Sequence, residues 1–234
     1  MTLYGGAMEL SEALRTTGSV REFTAQPVDD ALLFDVLDEA RFAPSGGNRQ
    51  AWRVVVVKDT TQRRAIGEAY LDAWHDYVAH LLAGVIPFSP LASDEDRAAA
   101  QGQRAAALAR SRPDGFAETL SEVPVMLVVC VDLGVLAATD RDLDRYHFAG
   151  GASIYPFVWN ILLAARGRGL GGVMTTMAIR KEPLLSELLG LPANYAVASV
   201  VALGYPQRRN TNLTRRAVSE FTTLDTFEGA AFSA

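Results

Sequence analysis

The sequence predicts an α+β fold in one domain spanning 1–234, and three observations carry that expectation. Two long stretches, 29–42 and 60–82, place apolar residues at helical spacing. Three short apolar runs rich in β-branched residues, 52–57, 125–131 and 195–203, have the length and composition of buried strands. No internal repeat, low-complexity tract or linker-like stretch divides the chain, and 234 residues suffice to bury a sizeable core.

Segment 9–15 reads as a short helix, followed by an extended Ser19-Val20-Arg21-Glu22-Phe23. Asp29 and Asp30 open an amphipathic helix carrying Leu32, Leu33, Val36, Leu37 and Ala40. It must end near Phe42, because Pro44 disfavours helical backbone in the residue before it. A polar turn, Ser45-Gly46-Gly47-Asn48, precedes the strand at 52–57. The helix over 60–82 sets Ile66, Tyr70, Trp74, Tyr77 and Leu81 on one side. From 84 to 114 the texture changes. An irregular bridge at 85–90 leads to an Ala/Arg/Gln-rich helix over 94–112, whose low apolar bulk predicts weak anchoring and suits a lid at about 84–120. The run at 125–131 is the expected central strand, and 151–166 a helix with Ile154, Phe157, Val158, Ile161, Leu162 and Ala165 inward. A glycine-rich bend at 167–172 leads into a short strand or loop at 173–176. A helix at 183–189 and a strand at 195–203, closed by Gly204-Tyr205-Pro206, complete the core. The polar tail at about 207–234 holds Phe221, Leu224 and Phe227 as isolated apolar pegs, which predicts that it docks on something.

Composition removes several function classes. A net charge of −5 and a pI near 5.3 argue against a general nucleic-acid binder. A single cysteine, Cys130, excludes a disulfide scaffold and Cys-rich metal sites, and lying in an apolar strand it reads as core filler. His75, His80 and His147 are too few and too scattered for a metal centre. No run approaches the roughly 18–20 apolar residues of a membrane span. No cationic region precedes an apolar run at the N-terminus, so a cytoplasmic protein without membrane association is expected. There is no G-x-S-x-G, Walker loop or H-E-x-x-H. The acidic run 140–144 reads as a solvated turn. The G-x-G-x-x-G at 167–172 follows a helix and precedes a strand, the reverse of the dinucleotide-binding order, and a helix C-cap explains its glycines. All but two of the 22 cationic residues, Lys58 and Lys181, are arginine, the side chain that grips phosphate bidentately.

The strongest local signal is Ala43-Pro44-Ser45-Gly46-Gly47-Asn48-Arg49-Gln50-Ala51-Trp52, where a helix stops and two glycines let backbone approach a flat ligand. Alone it is a turn between helix and strand. Together with Ser19-Val20-Arg21 it resembles the FMN-dependent nitroreductase family, whose members share R-S-V-R-x-F and A-P-S-x-x-N-x-Q-x-W elements in this order. The resemblance is best over 15–57, next over 151–176, and continues at Gly204-Tyr205-Pro206 and Arg215-Arg216; 84–120 matches only as a region the family varies.

The resemblance implies a mostly antiparallel sheet flanked by helices, in an intertwined homodimer with FMN at the interface and the tail embracing the partner. It implies that Arg21 sits by the N1–C2=O edge of the flavin and stabilises charge developing there. Ser19 would bond the phosphate or ribityl chain. Pro44, Ser45, Gly46, Gly47, Asn48 and Arg49 would pass along the ring, supplied by the partner. Gly171, Gly172, Thr175 and Thr176 would approach it near N5, and Arg215 with Arg216 would bind the phosphate. One departure stands out. Relatives carry an arginine before the serine of the first motif where this chain has Gly18, leaving Arg15 or Arg216 to supply that contact.

The implied chemistry belongs to the flavin, with no catalytic side chain. NADPH or NADH gives hydride to N5 and leaves, and a small acceptor such as a nitroaromatic or quinone then takes the electrons, in a ping-pong cycle. Gln103, Arg104 and Arg110, with Arg97, Arg112 and Gln101 nearby, could hold the 2′-phosphate of NADPH; alternatively the lid arginines pair only with Asp94, Glu95 and Asp96. A dehalogenase-like or flavin-cleaving enzyme, or a non-enzymatic flavin-binding protein, are the alternatives on the same fold.

Overall fold

The apolar run at 125–131 becomes an inner strand, as its composition predicts. The computed structural model describes residues 8–233; residues 1–7, which include most of the segment read for a targeting signal, and Ala234 lie outside them. The elements run α1 (Leu10–Thr16), α2 (Asp30–Ala40), β1 (Trp52–Val56), α3 (Thr60–Leu82), α4 (Asp94–Gly102), α5 (Arg104–Leu108), β2 (Val125–Asp132), α6 (Tyr155–Gly167), β3 (Gly171–Thr175), α7 (Glu182–Leu189) and β4 (Tyr195–Gly204). The sheet has the order β1-β2-β4-β3 with every neighbouring pair antiparallel, so the fold is α+β.

Alternation along β2 builds a core on each face of the sheet. Leu127, Val129 and Val131 pack with Val36 and Leu33 of α2 and with Phe157, Val158 and Ile161 of α6. Met126, Val128 and Cys130 meet Ile66, Ala69 and Tyr70 of α3, with Leu120 and Leu185 closing the layer. Burial pushes the Cys130 thiol up to about 11, consistent with an inert core residue. Trp52 stacks on Phe157, centroids 4.7 Å apart, and fastens β1 to α6. β1 itself is an edge strand with Arg53 and Val56 exposed, less buried than its composition suggests.

Helix starts follow their caps. The Asp29 carboxylate accepts from the Ala31 N–H at 2.9 Å and that of Asp59 from Gln62 N–H at 2.8 Å; Ser93 and Asp96 form a reciprocal capping box.

Four expectations need correction. The helix expected over 94–112 breaks at Gln103 into α4 and α5 and stops at Leu108. Nor is it poorly anchored: Ala100 and Ala107 are buried, and Arg104 bridges Asp72 and Asp76 of α3. Alanines permit close helix approach, which apolar bulk alone does not measure. Asp140, read as part of a solvated turn, is buried. Its Oδ2 accepts from the Phe148 and Ala149 N–H groups, at 2.9 and 3.1 Å, and from Arg145, organising the loop before α6. The bend at 167–172 ends early, with Gly169 in the left-handed region (φ +80°) and Gly171 and Gly172 already in β3.

Candidate active site

β3 is the second edge of the sheet, and the extended segment 19–23 covers part of it. Val20 N–H donates to the Gly172 carbonyl at 2.9 Å, and Thr24 N–H to the Tyr205 carbonyl at 2.8 Å. The approach requires glycine. A Cβ on Gly171 would lie 2.7 Å from Val20 Cγ2, and one on Gly172 would lie 2.6 Å from the Ala202 carbonyl oxygen. Both glycines are buried: Gly171 lets the segment close on the strand, and Gly172 lets β3 pack against β4 and α6.

This clip carries Arg21 to an open cavity of about 620 Å³. Thr175 and Thr176, at the end of β3, line the same cavity, with Met174 and Met177 beside them. α3 supplies Tyr70, Trp74 and Tyr77, and the loop after α5 supplies Arg110, Arg112, Phe116 and Glu118. Trp74 and Tyr77 stack with centroids 5.1 Å apart and planes 11° off parallel, while Phe116 meets Tyr70 edge-on at 5.9 Å. Burial raises the Tyr70 phenol above its ordinary value, outweighing its hydrogen bond with Thr175 and the nearby Arg21 charge.

The loop is held by its own carboxylate. Glu118 Oε1 accepts from the Ser111 hydroxyl and, at 2.8 Å, from the Arg112 N–H. Glu118 Oε2 lies over Gly115, where a Cβ would come within 2.2 Å of it. Ser111 Oγ is also 3.2 Å from His75 Nε2 on α3. Partial burial opposes ionisation of Glu118, but these donors outweigh it and hold the carboxyl below its usual range. Among the described residues, no ion pair engages Arg21, Arg110 or Arg112.

The second motif lies elsewhere on the chain. Pro44, Ser45 and Gly46 line a separate concavity of about 400 Å³ with Ala137, Thr139, Ala149, Ala152 and Ser153. Its turn is pinned by Gly46 N–H donating to Ser153 Oγ and Gln50 N–H to Ser45 Oγ, both at 3.0 Å. Asn48 and Gln50 both have left-handed backbone (φ 52° and 50°), local strain of the kind found at binding sites, and Gly47 beside them takes the same region (φ 60°) without that cost. Asn48 and Arg49 are exposed.

The remaining sequence-predicted residues do not gather at either concavity. Gln103 sits at the α4–α5 break, and Arg104 is spent on its two aspartates. Ser19, Arg215 and Arg216 are exposed; Arg215 donates to the Thr214 carbonyl and Arg216 lies over the Phe221 ring. Gly18 has a physical reason: a Cβ there would be 3.0 Å from both the Asn210 carbonyl oxygen and Leu213 Cδ2, so the tail occupies the space.

Sequence reasoning left Tyr70, Trp74, Tyr77, Phe116 and Glu118 out of the site. The available signal was aromatic residues with polar edges recurring along one helix face.

Residues 14–205 match the sequence model of the Nitroreductase family. Nitrobenzene nitroreductase of Ectopseudomonas oleovorans is 28% identical over 92% of this chain and 96% of its own length. Iodotyrosine deiodinase of Drosophila melanogaster is 25% identical over 86% of this chain and 64% of its own. Among solved structures, the NADPH:FMN oxidoreductase from Vibrio harveyi complexed with NAD+ superposes with a TM-score of 0.62 at 22% identity, covering 93% of this chain and 77% of that one.

Proposed function

The chain belongs to the nitroreductase family, and from that premise we propose that it is a homodimeric FMN-dependent oxidoreductase that draws on NAD(P)H, NADPH in preference, to reduce small acceptors. The observation that carries the reading is Arg21. Among the described residues its guanidinium makes no ion pair, and it lines one cavity with the hydroxyl-bearing Thr175 and Thr176. A fixed cation beside hydroxyl groups fits the polar edge of an isoalloxazine. When bound, FMN supplies the two-electron chemistry, accepting hydride at N5 and returning electrons to the acceptor.

The chain's own residues bind, orient and exclude water. Arg21 stabilises negative charge at the ring edge, a charge-assisted contact worth about 1.5–3 kcal/mol. Thr175, whose hydroxyl oxygen accepts from the Met177 N–H, and Thr176 flank the ring from the end of β3. Pro44, Ser45, Gly46, Gly47, Asn48 and Arg49 complete the partner's site; on their own chain none of them lines the Arg21 cavity, and Pro44, Ser45 and Gly46 lie in a different concavity. Exposed Phe42, Tyr146 and Phe148, 69–73% accessible, give apolar surface for such a dimer. The tail at about 207–234 embraces the partner, and Ser19, Arg215 and Arg216, with Arg15, hold the phosphate. Arg110 takes the 2′-phosphate role proposed for the lid, since Arg104 is held by two carboxylates.

The overall reactions balance as NAD(P)H + H⁺ + quinone giving NAD(P)⁺ + hydroquinone. For a nitroaromatic, two NAD(P)H and two H⁺ give hydroxylamine, water and two NAD(P)⁺. Donor and acceptor share one cavity and bind in turn, so we expect ping-pong kinetics. A dehalogenase-like reading draws on the hydrogen-bonded loop 111–118 at the cavity, and halide release from a halophenol would favour it. Steady-state assays of the FMN-loaded protein with NADPH, NADH and a quinone test the main reading. Parallel double-reciprocal lines and a higher kcat/KM for NADPH are expected. Intersecting lines would sink the shared cavity, and equal kcat/KM values the donor preference.

A further inference from the structure

Resting on that reading of the cavity, we propose that its acceptor is an aromatic compound carrying an acid group, gripped by Arg110 and Arg112. Three guanidinium groups line the cavity against one carboxylate, Glu118. Nearby cations are neutralised: Arg104 by Asp72 and Asp76, Lys181 by Asp72, and Arg97 by Asp94. Among the described ion pairs Arg110 and Arg112 are exceptions, and both lie in the loop after α5 that lines the cavity.

The arrangement of Glu118 keeps them so. The Glu118 oxygens go to the Ser111 hydroxyl, the Arg112 backbone N–H and the face of Gly115. The carboxylate therefore shapes the loop instead of pairing with the Arg112 side chain. His75, through Ser111, ties the same loop to α3. A loop fixed in this way presents charge without having to be ordered on binding, which is where affinity is otherwise lost.

The walls specify the rest of the ligand. Trp74, Tyr77, Tyr70 and Phe116 are aromatic, and Met174 and Met177 add polarizable surface. A flat aromatic body beside two unpaired guanidinium groups calls for a carboxylate or similar anion, which arginine binds bidentately. The chain's net charge of −5 opposes anions at long range, so the preference must come from this local pair. Sharing Arg110 with the NADPH phosphate creates no conflict, since the two substrates occupy the cavity in turn.

The test compares near-isosteric pairs on the FMN-loaded protein. Binding of benzoate and benzamide is followed by tryptophan fluorescence, with W74F identifying the reporter, and kcat/KM is measured for 4-nitrobenzoate and 4-nitrobenzamide. Benzoate should bind at least about tenfold more tightly, and kcat/KM should favour the acid by a similar factor. Both ratios should fall towards one in R110Q/R112Q and, in the unmodified protein, with rising ionic strength. Ratios near one in the unmodified protein, with both nitro compounds reduced, overturn the proposal and leave the oxidoreductase reading standing. Failure to reduce either compound overturns that reading, and the acceptor role with it. Salt-insensitive ratios assign the preference to something other than these arginines and overturn the proposal as well.

Discussion

Val20 and Gly172 are joined by one backbone hydrogen bond of 2.9 Å, and that bond places Arg21 at the cavity. An edge strand offers unpaired carbonyls, and a short extended segment laid against it satisfies them. The cost is steric: Gly171 leaves room for Val20, and Gly172, on the same strand, leaves room for β4.

Gly172→Ala should therefore destabilise the fold by about 1–3 kcal/mol, the usual cost of overpacking. The new Cβ meets the Ala202 carbonyl oxygen and Leu203 Cδ2, at 2.6 and 2.4 Å, and backbone cannot step aside as a flexible side chain can. Urea unfolding measures the loss. A variant as stable as the parent would show that β3 and β4 are not so tightly registered.

Ser153→Ala removes the acceptor that holds the Gly46 N–H, at a cost of about 0.5–1.5 kcal/mol. If the 44–49 turn completes the flavin site, FMN affinity should fall along with stability. Fluorescence titration of FMN gives the affinity; an unchanged dissociation constant would detach that turn from the site.

Asp140 makes stability depend on pH at the acid end. Hydrogen bonds, the Phe148 N–H foremost, lower its pKa from 3.8 to about 2 against the opposing effect of burial. The folded-state value is depressed, so the stabilisation is fully present above about pH 4 and is lost as pH falls through about 2. Asp140→Asn should be less stable than the parent at neutral pH, with the gap closing below about pH 2. A gap that is constant across this range would contradict the assignment.

Arg21→Met should weaken FMN binding by roughly 10- to 100-fold, the equivalent of one charge-assisted contact, while leaving the melting temperature of the flavin-free protein close to the parent's. Arg21 has no partner in the fold to lose, among the described ion pairs. An unaltered affinity would remove Arg21 from the flavin site.

Most of the fold was legible because it rests on short-range pattern. Strand composition predicts β2 and β4, and caps at Asp29 and Asp59 mark where α2 and α3 begin. What escaped depends on partners distant in sequence. The burial of Asp140 comes from backbone N–H groups eight and nine residues on, and α4 and α5 are seated by alanines and by Arg104 reaching α3. The site divides in the same way. Arg21, Thr175 and Thr176, grouped by family resemblance, do share a cavity. Its aromatic wall was hidden because one helical period serves core and cavity alike: Ile66 and Tyr70 are buried, whereas Trp74 and Tyr77 on the same face are only half-buried. The 44–49 turn lies apart from that cavity, and no single-chain pattern shows what it faces.

The most direct test is an anaerobic titration of the FMN-loaded protein with NADPH in the absence of any acceptor. The proposed function predicts that the yellow flavin absorbance bleaches with one equivalent of NADPH per bound FMN and returns when a quinone is added. A protein that retains no FMN, or one whose flavin stays oxidised under excess NADPH and NADH, would contradict it.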